Sequence, residues 1–507
     1  MSDRVSTFTH RAAPVLQWTA LAIALAFFAT LAGLGPAVAI APLAAILVVT
    51  FAVVTPLRYS AMALLAVALL VDNPGERPMD GRWRSPLLPI GEALYLNLHK
   101  LTGIDLLRFS ALELALAAIA LLLLYRKWTG DRIDDPLRLG ALPNPMRSAC
   151  AAMVAALLAM EVYGLARGGD FKNSLWQIRQ LMWLPLIGVM MGNAIKTDRA
   201  RRWLLRIVVV VACLRALLGV YVYVAIIRPS GQQAEYVLTH SDAILAVTAM
   251  LVAVMLVVAR PCVEHVVLNL VAQPILLAGL IVNDRRIAFV SLAAGLCTIV
   301  LLSPPELKRL MRRLVLLSIP FALIYTAVGW NSSASLFKPV GILRSVTEQE
   351  DASSQTRDIE NFNLIQTLKQ HPIIGAGFGH EYYEKVQANR VDQIFAQYKY
   401  VAHNSVLWFL AIGGAVGFAV VWTFFGMAVS VSMIVLNVAT ASTDRAVALG
   451  TVAVVLSFTI QAWGDMGFQS WMGILLLGSF VGATGSLASA LQHGQHIAGA
   501  PRSRVTS

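Results

Sequence analysis

The chain has 507 residues, of which 58% are hydrophobic and only 13% are charged, and its mean hydropathy is +0.69. This composition excludes water-soluble fold classes, because a soluble chain of this length needs a much more highly charged surface. The apolar runs are continuous and do not alternate, which excludes an outer-membrane β-barrel. The net charge of +12 does not indicate nucleic acid binding, since no basic stripe interleaved with aromatic residues occurs. The composition predicts an all-α polytopic membrane protein.

Apolar runs of roughly 20 residues, the length of one membrane crossing, predict about 12 to 14 transmembrane helices. They lie near residues 16–34, 37–54, 57–72, 106–125, 147–166, 175–194, 203–227, 242–258, 266–282, 286–303, 314–330, 404–436, 446–463 and 471–490. The third run is short, so a re-entrant segment is an alternative there.

The distribution of Arg and Lys among the short loops predicts a cytoplasmic amino terminus and places two long polar segments, 73–105 and 331–402, outside. The predicted organisation is a transmembrane bundle over 1–330 with the outer loop 73–105, then a periplasmic loop over 331–402 with amphipathic helices. C-terminal transmembrane helices over 403–490 and a cytoplasmic tail over 491–507 follow, and the tail is expected to be disordered from Gln492.

The second polar segment carries a helical pattern that starts near Thr356 and places Ile359, Phe362, Ile365 and Leu368 on one face. Pro372 is expected to end this helix, and the glycines within 375–379 to form a turn. A nucleotide-binding loop is not favoured, since the glycines follow a helix and no GKS or GKT sequence is present.

Charged residues at the rim of a membrane protein are candidates for function, because burying a charge there is costly. Arg179, the pair Arg285–Arg286 and the pair His403–Asn404 each open a helix that runs inward from the predicted outer face. A helix amino terminus favours an anion. These residues therefore outline a phosphate site.

Structural alternatives accompany each candidate. His403 could cap its helix instead of transferring a proton, although the cationic surroundings predict a neutral imidazole able to accept one. For Arg179, substrate binding and a structural pairing are equally favoured, and Arg215 is expected to pair with Glu113 or Glu161. Asp465 is expected to orient its neighbours. No Cys or His spacing suits a metal, so neither a metal nor a cofactor is expected.

Two ordered motifs are similar to those of the O-antigen ligase and polymerase superfamily. Ala402-His403-Asn404-Ser405-Val406-Leu407, followed by Gly413-Gly414 and Gly417, resembles its His-Asn-x-x-Leu…Gly-x-x-Gly signature. Thr356-Arg357 with His371-Pro372-Ile373-Ile374-Gly375-Ala376-Gly377 resembles its Arg…His-Pro segment. The resemblance assigns His403 the role of the essential histidine, and Arg357, Arg285 and Arg286 the roles of the essential outer arginines.

The resemblance implies a metal-independent, inverting glycosyltransferase of the bacterial inner membrane with its active site facing the periplasm. The donor would be O-antigen on undecaprenyl diphosphate and the acceptor the lipid A core, with Arg179 and Asn404 as further substrate-binding residues. The ligase is favoured because the Arg-x10-Gly pattern of polymerases is absent, and the polymerase is the alternative. A transporter for lipid-linked glycan or small anions is the rival from another class, disfavoured by the scarcity of acidic residues at mid-membrane positions.

Overall fold

The structure, a computed structural model, describes residues 56–76, 85–102, 108–129, 142–231, 237–302, 305–332, 337, 339–341, 344, 352–387 and 397–499. The predicted spans 16–34 and 37–54 lie outside these residues. The described residues are helical, apart from turns and one isolated bridge between Asn97 and Ser110. The all-α polytopic class predicted from the sequence is thereby confirmed.

The helices, numbered in chain order, are α1 Leu57–Leu70, α2 Leu88–Tyr95, α3 Leu98–Thr102, α4 Ala111–Thr129, α5 Asn144–Ala166, α6 Phe171–Ala194, α7 Asp198–Tyr221, α8 His240–Ala259, α9 Val263–Asn283, α10 Arg286–Leu302, α11 Pro305–Gly329, α12 Ala352–Gln370, α13 Ser405–Val438, α14 Ser442–Gly464 and α15 Trp471–Gly499.

Each of the twelve predicted spans within the described residues coincides with a helix. Seven helical segments there are long and apolar enough to cross a membrane, namely Asn144–Ala166, Asp198–Ser230, His240–Ala259, Val263–Asn283, Ser405–Val438, Ser442–Gly464 and Trp471–Gln492. Helix α1 has 14 residues and is about 21 Å long, short of a full bilayer crossing. The total of 12 to 14 spans stays a prediction. The prediction that the tail is disordered from Gln492 needs a correction, because α15 continues to Gly499.

The described helices belong to two compact units, Met1–Leu64 with Glu113–Leu139 and Leu65–Leu112 with Gly140–Ser507. In the second unit α6 packs along α15, while α14 packs against α8, α10, α13 and α15. The buried face of α8 is continuous from Ala243 to Ala253, as expected for a helix surrounded by other helices.

Hydrogen bonds join several helix ends at one end of this second unit, here called the site end. Asn283 at the end of α9 accepts from Leu238 N (2.9 Å) and donates to Thr239 O (3.1 Å) just before α8. At the start of α13 the Ser405 hydroxyl donates to Asp465 O (3.1 Å) after α14. The starts of α8 and α13 and the ends of α9 and α14 therefore meet there.

Helix α13 is broken at Gly414, which has φ 60° and ψ −172°. The 371–377 segment replaces the lost helical hydrogen bonds: Gly377 N donates to Ile412 O (2.9 Å), and Val416 N donates to Ile373 O (3.0 Å). Irregular backbone inside a membrane span is tolerated only when its polar groups are satisfied in this way. The two motifs singled out in the sequence thus form one backbone assembly.

The glycines of this assembly confirm the predicted turn. Gly375, Gly377 and Gly379 all have positive φ, which glycine adopts without steric penalty. Gly413 and Gly417 lie against Met160 of α5, so those two glycines permit close helix packing.

The prediction for the partners of Arg215 is wrong. Its guanidinium donates from Nε to Asp242 (2.7 Å) and from Nη1 to Asp72 (2.6 Å), and all three side chains are buried. Glu161 instead accepts from the Ser174 hydroxyl. The sequence does not indicate this grouping, because Asp72 lies 143 residues away from Arg215 in the chain.

Helix α12 ends at Gln370, two residues before Pro372, as predicted. Its apolar side is largely solvent- or lipid-accessible, with Phe362 and Ile365 exposed, whereas its polar residues Glu360, Asn363 and Thr367 are buried. The helix therefore turns its polar face toward the rest of the chain.

Candidate active site

The centre of the site end is a contact between His403 and Glu360. Nδ1 of His403 lies 2.9 Å from Oε2 and 3.1 Å from Oε1 of Glu360. The Glu360 side chain is 2% exposed and that of His403 is 32% exposed. A buried carboxylate thus holds an imidazole whose other edge reaches an open region.

The contact fixes which nitrogen of His403 carries its proton. An ionised carboxylate only accepts hydrogen bonds, so Nδ1 must donate, and in the neutral ring the lone pair then lies on Nε2. Among the described residues Nε2 of His403 has no hydrogen-bond partner. The free nitrogen is therefore the one able to accept a proton from a substrate.

Glu360 also changes the basicity of His403. Burial lowers the pKa of His403, but the hydrogen bond and charge of Glu360, together with the charge of Asp465, outweigh it and raise the pKa above its usual value. The expectation of a neutral imidazole considered only cationic neighbours and omitted Glu360. The raised pKa makes His403 a stronger base once it is deprotonated.

Arg357 lies on the same helix as Glu360, three residues earlier. Its charge opposes the increase in the pKa of His403, and residues three apart on a helix lie on the same side of it. The sequence pattern suggested an exposed first-turn residue, but Arg357 is half-buried. Its Nε is buried without a hydrogen-bond partner, and an unpaired buried donor is costly unless a ligand accepts from it.

Asp465, directly after α14, links the site to a second histidine. Its carboxylate pairs with Nδ1 of His240 and accepts from Gln461 (3.2 Å) and from Met466 N (2.8 Å). Burial raises the pKa of Asp465, but His240 and His403 outweigh it and hold the pKa well below its usual range. The expectation that Asp465 orients its neighbours agrees with these contacts.

Arg285 and Arg286 follow a sharp turn between α9 and α10. Asp284 adopts a left-handed conformation with φ 54°, and α10 begins at Arg286. The next residue, Ile287, contacts Gly464, the neighbour of Asp465. The arginine pair therefore belongs to the same end of the bundle as Asp465 and His403, as the phosphate-site prediction requires.

Arg179 makes structural hydrogen bonds within the chain. It donates from Nη1 to Asn97 Oδ1 (2.9 Å) and from Nη2 to Arg108 O (2.7 Å). The guanidinium thereby links α6 to Asn97 and to Arg108. Its substrate-binding role stays a prediction.

Asn404, not His403, caps α13. Its Oδ1 accepts from Leu407 N (3.0 Å) and its Nδ2 donates to Asn361 (3.1 Å). The capping alternative for His403 is therefore wrong, and the Asn404 amide is engaged at both ends within the chain. Substrate binding by Asn404 stays a prediction.

Two contributors were missed by sequence reasoning. Glu360 was given no role, although its position three residues after Arg357 places both on one side of the helix. Gln177 positions the segment before His403, donating to Tyr400 O (2.6 Å) and accepting from Gly379 N (2.6 Å). Its place two residues before Arg179 was the only available hint.

The described residues contain no group of three or more His, Cys, Asp or Glu side chains that could hold a metal ion. Metal-independence was predicted from the sequence and stays a prediction.

Residues 274–422 match the family model described as "O-Antigen ligase". This match supports the interpretation that the chain is a member of the O-antigen ligase and polymerase superfamily. The matched segment contains Arg285, Arg286, Arg357, Glu360 and His403. No curated protein matches the chain.

The match supports a membrane glycosyl-transfer enzyme of the ligase and polymerase superfamily. It supports the enzyme prediction over the transporter. Its substrates belong in general to the lipid-linked glycans and related lipids.

Proposed function

We propose that this superfamily member is an O-antigen ligase of the bacterial inner membrane. It transfers glycan from undecaprenyl diphosphate to the lipid A core at the periplasmic face. The observation that carries the proposal is the His403–Glu360 pair: an oriented imidazole with a free Nε2, next to an arginine with an unsatisfied buried donor.

In the proposed reaction Nε2 of His403 takes the proton from the acceptor hydroxyl while its oxygen attacks the anomeric carbon of the donor sugar. The bond from that carbon to the diphosphate breaks, and the carrier diphosphate leaves with the electron pair. Glu360 stabilises the imidazolium that forms. This single displacement inverts the configuration at the anomeric carbon.

Arg357, Arg285 and Arg286 are proposed to bind the diphosphate. Guanidinium groups bind phosphate oxygens in pairs, and their attraction grows as negative charge develops on the leaving group. Such differential stabilisation of the transition state accelerates the reaction.

The test is a reconstituted reaction. Purified protein, lipid-linked O-antigen and lipid A core are incubated with EDTA, and the lipid products are resolved on gels. Attachment of preformed polymer to the core supports the ligase. Lengthening of the lipid-linked glycan without attachment identifies a polymerase, and dependence on added divalent metal contradicts the metal-free reaction.

A further inference from the structure

A cavity lies beside the C-terminal half of α12, and His403 is not among its lining residues. Its volume is about 420 Å³, within the range of small-molecule sites. The charged and titratable residues in its lining are Arg167, His371, His380, Glu381, Glu384 and Lys399. The residues proposed above for catalysis are not among its lining residues.

The cavity lies next to the segment that packs against the break in α13. His371 and Ala376 line it, and the residues between them pair with the broken part of α13. Ala415 N donates to Pro372 O (3.0 Å), ten residues and about 15 Å along the helix from Ser405. Ile373 and Ile374 of this segment are 66% and 51% exposed. Exposed aliphatic residues at this level fit a surface against lipid chains.

The acidic side chains of the cavity have partners within the chain. Glu384 pairs with Lys399 (3.1 Å) and accepts from the Tyr398 hydroxyl (2.7 Å), and Glu381 is hydrogen-bonded to Tyr400. Lys399 therefore balances the charge of Glu384 within the chain.

The same lining contains Arg167, His371 and His380. Arg167 uses only Nη1 for hydrogen bonds to described residues, donating to the Tyr163 hydroxyl (3.1 Å) and Ala376 O (3.3 Å). Burial, and then the charges of Arg167 and His380, lower the pKa of His371. Among the described residues Arg167 has no carboxylate as a hydrogen-bond partner, and arginine favours phosphate oxygens.

We propose that the cavity binds a phosphate group on the sugar headgroup of the acceptor glycolipid. Its acyl chains would lie against Ile373 and Ile374, and Arg167 with His371 would hold the phosphate. Thr367, which also lines the cavity, lies on the buried face of α12 two turns after Glu360, about 10 Å along the helix. The acceptor would thus be anchored within a few sugar units of His403. This inference rests on the proposed function.

The first test measures transfer kinetics in reconstituted membranes, with intact and dephosphorylated lipid A core as acceptors. Arg167→Gln and His371→Gln should each raise the KM for the intact acceptor, by about tenfold for Arg167→Gln, as loss of a charge-assisted hydrogen bond implies. The kcat and the donor KM should stay unchanged, and the dephosphorylated acceptor should show no difference between variant and wild type. Arg206→Gln, which removes an exposed arginine paired with Glu264, is the matched control.

An unchanged KM for the intact acceptor in both variants overturns the inference. So does an increase that is equally large with the dephosphorylated acceptor, since the lost contact would then not involve phosphate. If Arg167→Gln instead releases co-purified phosphatidylglycerol in native mass spectrometry while the acceptor KM is unchanged, the cavity binds bulk phospholipid and the acceptor assignment is wrong.

The second test separates this inference from the proposed function. Binding of lipid A core to the protein in nanodiscs is measured without any donor, so no transfer is needed. Weaker binding by Arg167→Gln than by Arg206→Gln supports the cavity even if transfer is never detected. Equal binding by these two variants contradicts it even if the wild-type protein is an active ligase.

Discussion

Glu360 and His403 lie 43 residues apart in the chain, and their side chains meet at 2.9 Å. The contact crosses from the buried polar face of α12 to the segment that precedes α13. It orients the imidazole and raises its pKa at the same time. The pH dependence of catalysis by His403 should therefore change when Glu360 is replaced.

The Glu360→Gln variant keeps an acceptor for Nδ1 but removes the negative charge. Since Glu360 raises the pKa of His403, the variant should have a lower one. Activity of a general base increases as pH rises through its pKa, so the rising limb of kcat/KM should move to lower pH. The plateau rate should fall about tenfold, because a less basic imidazole accepts the proton less readily.

The measurement is kcat/KM across a pH series, with Glu264→Gln as the control because that glutamate is exposed and pairs with Arg206. Superimposable profiles for the wild type and Glu360→Gln would show that the carboxylate does not tune His403.

Arg285→Lys and Arg286→Lys keep a positive charge but lose the planar group that binds phosphate in two places. We expect at least one of them to lose activity about tenfold or more at normal membrane insertion. Arg228→Lys, an exposed arginine, is the control. Near-normal transfer by both variants would leave this pair with the role of anchoring a helix end.

The backbone assembly of 371–377 with α13 should be sensitive to one methyl group. A Cβ at Gly375 would lie 2.1 Å from Ile412 O, and its φ is 81°. The strained φ costs about 1–2 kcal/mol and the overpacking typically about 1–3 kcal/mol more. Gly375→Ala should lower the thermal unfolding temperature in detergent. Gly426→Ala in the same α13, where nothing lies within 4 Å, should not, and equal unfolding temperatures would contradict the assembly.

The sequence predicts the helices well because a membrane crossing imposes both length and apolar character on each segment. It predicts His403, Arg285 and Arg286 from their places at helix starts. It does not predict Glu360 as the partner of His403, because the pairing depends on which face of α12 is buried. The apolar face of α12, which a soluble protein would bury, is the exposed one here.

Arg215 is predicted to be a stability residue. Replacing it with Gln leaves Asp72 and Asp242 as buried charges without their cation, and breaking a buried pair in this way typically costs about 3–5 kcal/mol. Arg215→Gln should therefore reduce the folded yield severely. Arg206→Gln breaks an exposed pair, worth about 0–1 kcal/mol, and should leave the yield unchanged. Similar folded yields for the two variants in membrane extracts would argue against the buried cluster.

The substitutions of His403 distinguish proton transfer from a purely structural contact. Asn or Gln can still donate a hydrogen bond to Glu360, so either variant should fold, and the α13 cap is unaffected because it belongs to Asn404. Neither side chain accepts a proton near neutral pH. Both His403→Asn and His403→Gln should therefore lose about a hundredfold or more in transfer rate, the usual contribution of a general base.

Donor binding should survive in both His403 variants, because the arginines and not the imidazole are proposed to hold the diphosphate. Transfer rate and donor affinity are measured for each variant, with His265→Gln at the exposed start of α9 as the control. A His403→Gln protein that keeps more than roughly a third of the wild-type rate is incompatible with proton transfer by His403. A parallel loss of donor affinity would instead mean that the imidazole binds the diphosphate. His403 would then be a binding residue and not the base.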